Sequence, residues 1–88
     1  MKLIEVIEKI DDLDGEETIW VKVGDELNVS TKVVVAAEDE SGLNPIFAGV
    51  QYSYFLEVFI AKEIIESMPE ATTSHKVNRI IHYAINDA

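Results

Sequence analysis

Residues able to do chemistry are few in this chain and thinly spread. There are two histidines, His75 and His82, and no cysteine. Thiolate nucleophiles, thiolate metal sites and disulfides are therefore excluded. On a helix the two histidines would share a face but stand about 10 Å apart, at roughly 1.5 Å per residue. A shared metal wants ligands three or four positions apart and a further donor set, which this sequence does not offer. No metal is expected. The competing reading makes His75, Arg79, His82 and Asn86 a polar helical stripe facing water. That stripe is nearly the only place where basic residues gather, so it could also serve as a contact surface.

Two carboxylates invite an acid–base reading. Glu57 is a lone acid in an apolar stretch, and Glu63 follows it on a helical pattern. General acid–base work needs carboxyls whose surroundings pull their pKa values apart. The plainer reading places Glu57 at a solvent-facing strand position or against a lysine or backbone amide. The run Asp12-Leu13-Asp14-Gly15-Glu16-Glu17 resembles a calcium loop only until its ends are checked. With Gly15 at the sixth position, the first and twelfth fall on Ile10 and Val21, where carboxylates are required. It reads instead as a solvated acidic turn. None of the serines lies in a nucleophile elbow, and no glycine-rich phosphate loop occurs. No enzyme motif is present, and a non-enzymatic protein without cofactor is expected. Tyr52, Tyr54, Phe55 and Phe59 could stack bases, but only Lys62 lies nearby. Core packing explains these aromatics better.

The charge balance narrows the partners. Seventeen acids face seven bases, for a net charge of −10. Residues 1–44 hold 12 acids and 4 bases, net −8; residues 45–88 hold 5 and 3, net −2. Such a surface repels nucleic-acid phosphates and anionic lipid, so neither partner is expected. A basic protein would be attracted, and the carboxylates placed to meet it are Asp11, Asp12, Asp14, Glu16, Glu17, Asp25, Glu26, Glu38, Asp39 and Glu40. The simpler account is that the charge keeps a small protein soluble. Glu5 and Glu8 interrupt the N-terminus, which argues against a signal peptide. The longest uncharged apolar run falls far short of a membrane span, and a cytoplasmic location is the default expectation.

Eighty-eight residues make one domain, 1–88, which buries about 60–65% of its unfolded surface. The stretch Val50 to Met68 organises it. From Val50 to Ile60 every even position is apolar, the period of a strand. Beyond Phe59 the spacing of Ile60, Ile64 and Met68 is helical, and Pro69 stops it. A single helix over 53–68 is the rival reading. Ahead of this lie a short amphipathic helix over 2–11, a half-buried strand over Thr18 to Val23, and a second strand over Thr31 to Glu38. Residues 38–49 are a long turn-rich connection with Leu43, Ile46 and Phe47 as anchors. After it, Val77, Ile80, Ile81, Ala84 and Ile85 form the cleanest helical stripe, with N-cap candidates between Ala71 and Ser74. The expected fold is α+β, in the order α-β-β-β-α-α: a three-stranded antiparallel sheet against three helices.

Tyr54-Phe55-Leu56-Glu57-Val58 and Tyr83-Ala84-Ile85-Asn86-Asp87-Ala88 carry a resemblance. They are similar to motifs of small, mostly uncharacterised bacterial proteins of the αβββαα type. Those have a Y-[FA]-L-[ED]-V-like strand before a helix and end in a helix with Y-A-x-x-D-A. The resemblance implies an immunity- or antitoxin-like inhibitor of a basic protein, and it supplies no catalytic residues. It also gives weight to Tyr83, Asn86 and Asp87. The link from Pro69 to Ser74 is shorter than the resemblance leads one to expect. A different class of function is also open: two uncovered sheet edges would let the chain pair with its own copy as a homodimer.

Overall fold

The computed structural model describes residues 1–24, 26–38 and 44–86. Helix α1 spans Leu3–Glu8 and runs into a 3-10 turn at Ile10–Asp12. Asp11 and Asp12 thus fall beyond the α-helix, within the 3-10 turn that follows it. Glu5 accepts the Lys2 backbone N–H at 2.9 Å and caps the helix start. Strand β1 is Thr18–Lys22, β2 is Val33–Ala36, β3 is Ile46–Phe47 and β4 is Val50–Glu57. Helix α2 follows at Val58–Glu66 and α3 at Thr73–Asn86.

The α+β class holds, but the sheet has four strands, not three, in the antiparallel order β2-β1-β4-β3. The extra strand is the first arm of a tight hairpin. Phe47 pairs with Val50, and the two residues between them, Ala48 and Gly49, have φ of 52° and 77°. Two consecutive positive φ values are the mark of a type I′ turn, whose twist matches that of the flanking strands. The expected strand-to-helix switch occurs within residues 50–68, which rules out one continuous helix there. It comes at Val58, one residue before Phe59, so the buried stripe of α2 begins with Val58 and Ala61.

All three helices lie over one face. Leu3, Val6, Ile7, Ile10, Val58, Ala61, Val77, Ile80 and Ile81 share a core with Ile19, Val21, Val33, Phe55 and Leu56. The register between β1 and β4 shifts at Ile19/Trp20: Ile19 faces Leu56, but Trp20 faces Tyr54. Phe55 is the extra residue of this bulge, and the shift alters which side chains point inward. Leu56 enters the core while Tyr54 turns to the other face, so the even positions of β4 do not share one side. Trp20 is only 2 % exposed; Tyr54 meets it edge-on with ring centroids 6.4 Å apart, and the Trp20 Nε1 donates to the Ala36 carbonyl at 3.1 Å.

The sheet edges are short. At the outer side of β2, Val33 N–H donates to the Met1 carbonyl and Leu3 N–H to the Thr31 carbonyl, both at 2.8 Å. The opposite edge is the two-residue β3. Thr72 supplies the N-cap of α3, its Oγ1 accepting the His75 N–H at 3.2 Å. Among the described residues no helix is long and apolar enough to cross a membrane.

Candidate functional site

The acidic residues divide between the two ends of the sheet. Register puts Thr18 opposite both Ala36 and Glu57. Glu17, Glu38 and Glu57 therefore gather at one end, together with the connection 11–17 that leads into β1. Asp11, Asp12, Asp14, Glu16 and Glu38 are exposed, and Glu17 is half-buried. Glu26 follows the other end of β1, about 13 Å away at ~3.3 Å per residue. It is exposed, and its carbonyl accepts the Thr31 hydroxyl. Glu26 therefore lies toward the opposite end of the sheet from the first group. Asp25, Asp39 and Glu40 lie outside the described residues, as do Leu43 and Asp87.

The connection 13–17 is fastened to α2. Any α-helix begins with backbone N–H groups that lack intrahelical partners. Here Val58 N–H donates to the Glu17 carbonyl at 3.0 Å and Phe59 N–H to the Gly15 carbonyl at 3.2 Å. Lys62 Nζ donates to the Leu13 carbonyl at 2.8 Å. Within the connection, Asp14 Oδ1 accepts the Glu16 N–H at 2.9 Å. The carboxylates at 11–16 are thus carried on an ordered backbone. Lys62, although a cation among acids, is engaged by a carbonyl.

Glu57 is half-buried and is the N-cap residue of α2, yet its side chain does not cap that helix. Its Oε2 accepts the Tyr54 hydroxyl at 3.0 Å instead. No pocket opens around it or elsewhere among the described residues. Glu63 is exposed on α2. His75, Arg79, His82 and Asn86 are exposed along α3, and Asn86 Nδ2 donates to the His82 carbonyl at 3.0 Å. Among the described residues no group of three metal-ligating side chains converges. Tyr83 is half-buried beside the core.

The aromatic residues depart from the core reading. Phe55 is buried and Tyr52 half-buried, touching Phe47 edge-on at 5.5 Å, but Tyr54 is 46 % exposed and Phe59 49 %. The bulge sends Tyr54 outward, and the early start of α2 does the same for Phe59. Sequence periodicity signals neither. Comparison with protein-family models, with curated proteins and with solved structures found no match to this chain.

Proposed function

We propose that this chain is a small non-enzymatic interaction module that offers the acidic end of its sheet to a basic protein. The observation that supports this reading is the fastening of residues 13–17 to α2 through Glu17, Gly15 and Leu13. A surface ordered before association loses less entropy on binding. Exposed carboxylates of one sign steer a cationic partner and set a strong salt dependence. An immunity- or antitoxin-like inhibitor is the sharpest form of this proposal, and that part rests on the resemblance of the Tyr54–Val58 and Tyr83–Ala88 motifs. The test is capture of a partner at low salt on immobilised protein, followed by a salt gradient. A basic protein released at moderate salt, and no longer retained by the variant Asp11→Asn/Asp12→Asn/Asp14→Asn/Glu16→Gln, supports the reading.

A second reading is self-association through the outer edge of β2. Its support is that Met1 and Leu3 occupy only the start of that edge, leaving Val34 to Ala36 without an outer backbone partner among the described residues. An empty capture column together with a dimer by light scattering would favour it over the first.

A further inference from the structure

Three of the chain's seven basic residues, distant in sequence, stand side by side across the sheet. Lys2 bridges to Lys32 at the outer side of β2. The β1–β2 register, continued one residue beyond Val21 and Val33, sets Lys22 next to Lys32. On its other side Lys22 pairs with Tyr52 of β4. Leu3, Val21 and Val33 enter the core, so alternation puts all three lysines on the helix-free face. Directly opposed residues hold their Cβ atoms about 4.5–5.5 Å apart, so the row runs for about 10 Å. Lys2 and Lys32 are exposed and Lys22 is half-buried. Lys62 is engaged by the Leu13 carbonyl, whereas the ammonium groups of these three make no hydrogen bond or ion pair among the described residues. Of the carboxylates at this end, Glu5 holds the Lys2 backbone N–H and Glu26 pairs with none of the three ammoniums.

Like charges directly opposed across strands weaken a sheet. An anion laid along the row offsets that repulsion, and a single carboxylate is too short and too weakly charged to meet three ammoniums. Lysine binds phosphate as a point charge, and its flexible stem lets several ammoniums follow one line of negative charge. No pocket opens among the described residues, so the ligand is a slender one laid on the surface. The overall charge of −10 opposes long polyanions, but Glu17, Glu38 and Glu57 lie at the other end of β1, about 13 Å away. That exceeds the screening length of ~8 Å at physiological ionic strength. We propose that Lys2, Lys32 and Lys22 form a binding row for a short phosphate chain, free as an oligophosphate or carried as the tail of a nucleoside triphosphate. This goes beyond the reading of the acidic end as a docking surface and does not depend on it.

The probe is tripolyphosphate, titrated calorimetrically into the full chain at low ionic strength. Lys32→Gln, at the centre of the row, should weaken binding about tenfold, and Lys2→Gln and Lys22→Gln about threefold each. Lys76→Gln, on α3, should change it less than about twofold. Inorganic phosphate should bind at least about tenfold more weakly than tripolyphosphate, because one group does not span the row. Tripolyphosphate should also raise the urea midpoint of the wild type and of Lys76→Gln, and leave that of Lys32→Gln nearly unchanged. In phosphate-free buffer Lys32→Gln should itself raise the midpoint, because it relieves the opposed charges, and that rise shows the variant folded. ATP that binds no more tightly than tripolyphosphate assigns the row to a free oligophosphate. Tighter binding of ATP that is lost in Tyr52→Leu assigns it to a nucleotide with its base against Tyr52. A wild-type chain that does not bind tripolyphosphate, or binding that all three lysine variants leave unchanged, overturns the proposal. Either result leaves the acidic-end reading as it stands.

Discussion

Lys62 Nζ donates to the Leu13 carbonyl at 2.8 Å, joining positions 49 residues apart in the sequence. With the Val58 and Phe59 N–H groups it fixes the acidic connection against the start of α2. Lys62→Met keeps the apolar stem and removes the donor. We expect a loss of about 1–2 kcal/mol in urea unfolding with an unchanged m-value, as for a charged hydrogen bond at a partly buried site.

The hairpin between β3 and β4 carries a removable strain. Ala48 has a φ of 52°, a region that costs an ordinary L-residue about 1 kcal/mol. Ala48→Gly should therefore raise stability by roughly 0.5 kcal/mol once its extra unfolded-state entropy is deducted. Ala48→Val should lower it, because a β-branched residue suits that region even less. A shift in the urea midpoint reads both.

That turn also explains the limit of sequence reading for this fold. Val50 to Tyr54 and Thr18 to Lys22 alternate, and Val77, Ile80 and Ile81 repeat helically, so β1, β4 and α3 are visible as patterns. Strand β3 has only two residues, and its turn is written Ala-Gly where Asn-Gly would be the usual signal. The bulge at Phe55 comes from pairing with β1 and leaves no mark in the period of β4 alone. For that reason Tyr54 read as a core residue and proved exposed; Phe59 did so because α2 begins one residue earlier than its period suggests. The acids were legible by type. Which of them share an end depended on the partners of Thr18, and that grouping separates Glu26 from the rest.

Trp20 joins β1 to the last residue of β2 through its indole N–H. Trp20→Phe leaves the Ala36 carbonyl without that partner and should cost about 1–3 kcal/mol. Trp20 is the chain's single tryptophan and is 2 % exposed, so native emission should be blue-shifted relative to unfolded protein. A native spectrum matching that of the unfolded chain would contradict the placement.

Two isoleucines on α3 offer a matched pair. Ile80 is fully buried and Ile85 is 64 % exposed. Ile80→Ala should cost about 2–5 kcal/mol through lost burial and a cavity, and Ile85→Ala less than about 0.5 kcal/mol. Equal effects in thermal unfolding would show that α3 presents a different face to the core.

The most direct test of the acidic-end account is amide hydrogen–deuterium exchange of the chain with and without its captured basic partner. The account predicts slowed exchange confined to residues 13–18 and to Val58 and Phe59, at the end where Glu17, Glu38 and Glu57 gather. Slowing at Val34 to Ala36 instead, with no change at 13–18, would contradict it and place the contact on the outer edge of β2.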